Sequence, residues 1–461
     1  MKLFSQQALL GPDLELASAC VHVDGHQITR VERRPDAPDG ALDLGRKVLA
    51  PAWVNAHTHV ALVALRGFAG LAAQGGNMVE ELYFRVERNM EPADVKALAR
   101  VGAVDCLLSG TGAVWDHYYH GVALAEALVE CGLAAALAPA LQDLDGPGVP
   151  LLEDSFQQLQ ELGKPAWEAQ GILPVIGPHA TDTVSPALWA RCRDLAVQTG
   201  WPVHFHVAQS AEEWERIHAR HGCSPVQLLQ RQGLLEAGVP LLMVHGLYVS
   251  EADLDLLDPD LHRLGHCPAA QSQFDFPADE VTWRQRGLKV ALGTDAGSCN
   301  DTMDPQAELR MMAAASSWAI TQGPEAVDFR RSSSPMALQA IRARRARHLG
   351  DRESARELLQ RITSLPGDLH PQMPVGRIQA GYWANLQVID PDSPGMWPAH
   401  DVYQALAFSQ VQPAIWGLMV RGRWIGEPGN LRGALLGSDW WRQAQQEARG
   451  RLEALLRRSG L

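Results

Sequence analysis

Histidines in this chain gather at the ends of apolar runs. His57 and His59 follow Val48-Leu49-Ala50-Pro51-Ala52-Trp53-Val54, and His179, the pair His204 and His206, and His245 each close a comparable run further on. Asp295 does the same in Gly293-Thr294-Asp295-Ala296. Side chains alternate along a strand, so two imidazoles two residues apart at a strand end face the same way. One His-X-His is weak evidence of a ligand pair, because neighbouring histidines often pack or hydrogen-bond harmlessly. The ordered recurrence of such strand ends is what gives it meaning. Three imidazoles and one carboxylate suit zinc or ferrous iron, whereas calcium and magnesium prefer all-oxygen shells. The pattern reads as that of a metal-dependent hydrolase.

The elements that must position these groups alternate strand and helix. Strand candidates fall at 48–57, 112–119, 133–139, 171–179, 202–208, 240–247, 261–267 and 288–295. Helical patterns lie between most of them, as from Pro92 to Leu108, Val122 to Glu130, Pro186 to Gly200 and Ser250 to Leu257. Eight strands with helices between them predict an α/β fold, a (β/α)8 TIM barrel, which places its chemistry at the C-terminal ends of its strands. Residues 1–50 and 366–436 instead read as short strands separated by turns, predicting one small β-sandwich domain built from both chain ends. The barrel is expected over 51–365, and an amphipathic C-terminal helix over 437–461. The charged, proline-punctuated stretch 350–374 reads as an excursion before the small domain resumes. An arginine cluster at Arg342, Arg344, Arg345 and Arg347 reads as a solvated helix face.

Composition narrows the partners. At 461 residues the chain can bury a large core, and a formal net charge of -13 argues against nucleic acid or an anionic membrane as partner. Seven cysteines without a C-x-x-C pair suit a reducing cytoplasm. The first residues lack the charged-then-apolar plan of a signal peptide, and no apolar run is long enough to span a bilayer. A cytoplasmic homo-oligomer, taken as a dimer, acting on a small molecule is expected.

Read together, these motifs resemble the amidohydrolase superfamily, in the branch that holds chlorohydrolases and aminohydrolases of aromatic heterocycles. The resemblance rests on Pro51 to His59, Leu65-Arg66-Gly67, Leu108 to Gly112, Gly177-Pro178-His179-Ala180 and His204-Phe205-His206. It continues through Val244-His245-Gly246, Gly265-His266-Cys267-Pro268, Gly293-Thr294-Asp295 and Gly376 to Asn385. It implies that His57, His59, His206 and Asp295 hold one divalent metal, Zn2+ or Fe2+, with His204 packing beside them. It implies that His245 bonds the attacking water, that Asp295 takes the second proton, and that His179 faces the substrate. The run Ile172 to Gly177 holds no lysine that could bridge two metals once carbamylated, so one ion is expected. The reaction implied is attack of metal-generated hydroxide on a heterocycle of purine, pterin or s-triazine type, with loss of an exocyclic amino group. Arg66 and His117 join His179 and Gln209 as expected substrate contacts, while His370 and several other histidines read as surface or structural.

Gln209 is the departure. Many relatives carry a glutamate three residues after the fifth-strand histidine, where it supplies a proton to a ring nitrogen. Glutamine donates a hydrogen bond but cannot transfer a proton, and a positioned acid is worth roughly 10²–10⁴-fold. Three readings stand: a leaving group or ring that needs no carboxylic acid, as in dechlorination; substitution by Glu212, Glu213 or His245, the two glutamates being expected on a helix surface; or a low-activity paralogue that binds metal and ligand.

Overall fold

The computed structural model describes residues 1–68, 77–274 and 278–461. The first strand candidate, 48–57, divides at Ala52. Its beginning, Val48–Pro51, pairs with Leu386–Ile389 in the small domain, and its continuation, Trp53–His59, is the first barrel strand, β1. The amide of Ala52 still bonds the carbonyl of Asn385 at 3.0 Å, whereas the amide of Trp53 bonds that of Gly110 at 2.9 Å, so the change of partner is complete within one residue.

Seven further strands follow: β2 (Thr111–Tyr118), β3 (Ala134–Leu141), β4 (Ile172–Pro174, continued by Gly177–Pro178), β5 (Val203–Val207), β6 (Leu241–His245), β7 (His262–His266) and β8 (Lys289–Leu292, continued by Asp295–Ala296). Nearly every residue in them is buried. That is why they read as continuous apolar runs with no alternation: a parallel sheet wrapped by helices has no wet face. β1 to β4 pair in parallel order, as do β5 to β8. Two bridges, Ile176 to Val203 and Ala180 to His206, join β4 to β5. Asp295 and Ala296 pair with Thr58 and His59 and close the ring between β8 and β1. The result is the closed parallel barrel that the strand–helix rhythm predicts.

At the opposite end β8 and β1 do not pair directly. The amides of Leu292 and Val54 instead bond the carbonyls of Arg361 and Ile362, at 3.0 and 2.8 Å. Arg361 is buried there, at 2.8 Å from Glu353 and 3.3 Å from Glu280. The stretch 350–374 is therefore no excursion. Its helix Ala355–Gln360 delivers a plug to the barrel floor.

The small domain joins strands from both ends of the chain in one hydrogen-bonded network. The order is Arg423–Ile425, Ile415–Val420, Leu386–Ile389, Val48–Pro51, Lys2–Leu10, Glu15–Asp24 and Gln27–Arg33, with Leu42–Asp43 also on Lys2–Leu10. The C-terminal helix Asp439–Arg458 buries Ala444, Ala448 and Leu455 and packs on Pro92–Leu108. Among the described residues no helix is long and apolar enough to cross a membrane.

Candidate metal centre and substrate cavity

β1 delivers His57 and His59, β5 delivers His206, β6 delivers His245 and β8 delivers Asp295, all at their C-terminal ends. His245 and Asp295 sit at φ 78° and 59°, a left-handed backbone that non-glycine residues rarely adopt and that clusters at functional sites. The turn breaks the strand's alternation and aims both side chains across the mouth of the barrel. Two bonds between Asn55 and Thr294, Nδ2 to Oγ1 at 2.8 Å and N to Oδ1 at 3.0 Å, lock β1 to β8. Gly293 permits the approach, since a Cβ there would lie 2.6 Å from the His57 amide nitrogen.

Each of the three imidazoles is pinned by its outer nitrogen. His57 Nδ1 lies 2.8 Å from His204 Nε2, His59 Nδ1 lies 2.5 Å from the His117 carbonyl, and His206 Nδ1 lies 2.8 Å from the His179 carbonyl. A proton on Nδ1 serves all three contacts and leaves every Nε2 with a free lone pair, the arrangement that prepares imidazoles to bind a metal. Those atoms converge. His57 Nε2 and His59 Nε2 lie 3.6 and 3.3 Å from Asp295 Oδ1, and His245 Nε2 lies 3.9 Å from Oδ2. The ligating atoms of His57, His59 and His206 all fall within 4.8 Å of one another, as do those of His57, His245 and Asp295. His57 Nε2 is buried and has no hydrogen-bond partner. A buried polar atom left so costs roughly 1–3 kcal/mol, and a metal ion is the partner that this donor set fits.

Electrostatics agree. Burial works against a charged Asp295, yet the imidazoles of His57 and His59 hold its carboxyl well below the usual carboxylate range. Burial pushes His57 down to about 3 and His206 well down, so both are neutral. His59 goes the other way, to about 9: burial lowers it, but Asp295 outweighs burial. A cation bound by His59 would displace that proton.

The cluster opens into a cavity of about 390 Å³. Its floor is His59, His206, His245 and Asp295, and one wall is Met78, Tyr83, Phe84 and Glu87. His179 faces the cavity, its Nδ1 3.0 Å from Thr183 Oγ1, and burial lowers its pKa to about 3. Gln209 lines the cavity too. Its amide donates to Glu213 Oε2 at 2.7 Å, and Thr181 donates to the other oxygen. Glu213 is thus buried and holds the Gln209 loop from beneath, contrary to its expected place on a helix surface. Glu212 is exposed and stands at the mouth.

Two expected substrate contacts lie elsewhere. Arg66 is exposed and bonds Asp105 Oδ2 at 2.6 Å and, weakly, the Gly297 carbonyl at 3.5 Å, so it does not line the cavity. The chain turns outward after the 3-10 turn Val60–Leu65, which points residue 66 at helix Pro92–Leu108. His117 is buried beneath the floor, its Nε2 3.1 Å from the Gly177 carbonyl, where its role is to hold His59. Of the two readings of His370, surface or structural, the structural one holds. It is buried against Trp115 and bonds the Pro174 carbonyl at 3.2 Å. Asn300 bonds Glu308 at 2.8 Å, and Asp301 accepts the Gly67 amide at 2.8 Å.

Sequence reasoning passed over Glu87. It is buried, lines the cavity, and burial raises its pKa to about 7 despite the pull of His59. Nothing local marks it, since Arg85-Val86-Glu87-Arg88 reads as an ordinary helix end. Asn55 and Thr294 were legible inside the quoted motifs, but their mutual bonds depend on contact across 239 positions.

The pattern of the Amidohydrolase family matches residues 48–425, from the small-sheet strand Val48–Pro51 through the barrel to Arg423–Ile425 of the same sheet. The chain belongs to the amidohydrolase family. It is therefore a hydrolase of carbon–nitrogen bonds that uses a divalent metal, and the histidine and aspartate cluster described above could hold one. The 5-methylthioadenosine/S-adenosylhomocysteine deaminase of Moorella thermoacetica is 28% identical over 400 residues, covering 86% of this chain and 85% of that protein. The enzyme of the same name from Pyrococcus abyssi is 30% identical over 308 residues, covering 66% and 71%. Among solved structures, a zinc-bound adenosine deaminase from Xanthomonas campestris superposes with TM-score 0.80 at 22% identity over 98% of both chains. A glutamate-to-glutamine mutant of the atrazine chlorohydrolase TrzN from Arthrobacter aurescens, complexed with zinc and atraton, superposes with TM-score 0.78 at 16% identity, covering 98% of this chain and 100% of that one.

Proposed function

We propose that this amidohydrolase is an aminohydrolase that removes an exocyclic amino group from a nitrogen heterocycle of purine, pterin or s-triazine type. The observation that carries the reading is the convergence of three neutral-ready imidazole nitrogens and one ionised carboxylate on the floor of a substrate-sized cavity. In this reading His57, His59, His206 and Asp295 hold one divalent ion, zinc or ferrous iron. Such an ion supplies Lewis acidity that lowers the pKa of water from 15.7 to about 7.

This chain's residues do the rest. Asp295, held ionised, accepts the proton that the attacking water gives up and hands it to the exocyclic amino group, so that as the carbon–oxygen bond forms the carbon–nitrogen bond breaks and ammonia leaves. His245 is kept neutral because burial lowers its pKa more than Asp295 raises it, and it orients that water by a hydrogen bond. His179, neutral as well, meets the heterocycle from the β4 side. Gln209 offers its side-chain amide to a ring nitrogen or carbonyl, as donor or acceptor, without transferring a proton. Phe84 and Met78 cover the ring and keep bulk water off it. All seven cysteines are free and buried, which supports action in a reducing cytoplasm. A homodimer is the assembly to test by sedimentation.

A second reading rests on Gln209 alone. A halide leaves as an anion and needs no proton, so a cavity that carries an amide at position 209 also suits dechlorination. Purines, pterins, pyrimidines and s-triazines, with chlorinated members included, are to be incubated with metal-loaded protein while ammonia and chloride are followed. Ammonia release supports the first reading and chloride release the second. Silence from fully metal-loaded protein overturns both and leaves a ligand-binding paralogue.

A further inference from the structure

The outer wall of the cavity is a short segment of its own. It runs from Asn77 through a π-helical turn, Val79–Tyr83, into Phe84–Glu87. Asn77 Oδ1 starts the turn by accepting the amides of Val79 and Glu80 at 3.0 and 3.3 Å. Met78, Glu80, Tyr83, Phe84 and Glu87 all face the cavity.

Across the mouth stands helix Ala211–His221, which begins at the Gln209 loop. Its Arg216 extends Nη2 to within 2.5 Å of Glu80 Oε1 on the wall. The other end of the same fork, Nη1, bonds Asp182 Oδ2 at 2.9 Å on the loop after β4. Asp182 is 6% exposed, and Arg220 steadies it further by donating to its carbonyl at 2.8 Å. Three separated stretches of chain, the wall, the His179 loop and the Gln209 helix, thus meet on one guanidinium. Both arms of that guanidinium are taken by carboxylates of the protein, so Arg216 is not built to anchor an anionic substrate.

We propose that Arg216 is a positioning residue that ties the Asn77–Glu87 wall to Asp182 and to the Gln209 helix, so that the wall is already closed over the ring when substrate binds. The proposal rests on the reading of this cavity as the substrate site. A wall held in place spares the ligand the entropy of ordering it, which shows in affinity before it shows in the chemical step. Arginine is required because its planar fork bridges two carboxylates, which lysine's single ammonium does not reproduce.

The test combines amide hydrogen exchange on metal-loaded, substrate-free protein with steady-state kinetics for Arg216→Gln, Arg216→Lys, Glu80→Gln and the double variant Glu80→Gln/Arg216→Gln. Amides of residues 77–87 should exchange faster in Arg216→Gln and Glu80→Gln, with unchanged melting temperature and metal content. KM should rise about three- to tenfold in Arg216→Gln while kcat stays within about twofold, and the double variant should be no worse than Arg216→Gln. Arg216→Lys should fall between wild type and Arg216→Gln. Unchanged exchange at 77–87 in both single variants overturns the proposal, as does an equal loss of kcat and melting temperature with KM unmoved. The exchange experiment needs no substrate, so it still decides the matter if every heterocycle fails; if Arg216→Gln does not fold, Glu80→Gln, at a partly exposed position on the cavity rim, carries the test.

Discussion

Around His57 each ring nitrogen has one fixed direction. Its Nδ1 meets His204, its Nε2 faces Asp295, and the Asn55–Thr294 pair holds its strand against the one bearing Asp295. Around Gln209, some residues along from His206 on the same strand end, the arrangement is looser: the backbone is held by Glu213, while the surrounding side chains at the mouth, Glu80, Glu212 and Arg220, are partly exposed. The difference teaches how one barrel serves many substrates. A metal demands donors fixed to within a few tenths of an ångström, so its surroundings are buried and hydrogen-bonded twice over. A substrate demands only a shape and a few polar matches, and those sit on loops where residues can change without disturbing the floor.

The sharpest break of that comparison is at the floor. His57→Ala should lose the metal, as read by elemental analysis, and lower kcat/KM on the order of a thousandfold or more. Retention of stoichiometric metal would show that the fixed half is less fixed than the geometry indicates. Next comes Gln209→Glu, which returns a carboxylic acid to the adaptable half. On a substrate whose ring nitrogen must be protonated, kcat/KM should rise by up to roughly 10²-fold; on one that leaves as halide it should not rise. A rise on both would mark Gln209 as a weakening change.

His204→Phe probes the layer between the halves. It removes the acceptor behind His57 while keeping volume in the core, and should weaken metal affinity about 10- to 100-fold in a chelator competition, with the fold retained. Smaller is the pH effect at Glu308. Burial, aided by Asp295, raises its pKa from 4.5 to about 8, so the folded state keeps a proton that the unfolded state gives up. Stability is fully present below pH 4.5 and is lost as pH rises toward 8. In urea titrations of metal-depleted protein from pH 5 to 8, Glu308→Gln should flatten that decline. The least effect is expected at Arg66, which points away from the cavity: Arg66→Ala should leave kcat/KM within about twofold. A larger loss would restore the substrate contact that the sequence suggested and the geometry does not show.

Much of this molecule was readable in its order of residues. Alternation of apolar runs with helical periodicity is a local property, and it announced eight barrel strands and the helix Pro92–Leu108 to the residue. Histidines at strand ends were legible for the same reason, since a strand's period says which face a side chain takes. Distance between remote segments has no such signature. Nothing in 48–57 shows that the run changes sheets at Ala52, because the apolar run continues through Val54 and both halves are buried. Nothing around Glu213 marks it as buried, since its helix carries charge on most sides and one of its partners, Thr181, arrives from the turn after β4. Glu87 reached the cavity, and Arg66 left it, through turns whose direction depends on what they pack against. Which groups stand at the ends of strands follows from period and hydrophobicity along the chain. Which of them meet depends on the folded barrel, because hydrogen bonds and donor-to-donor distances are set between segments that lie far apart in the chain.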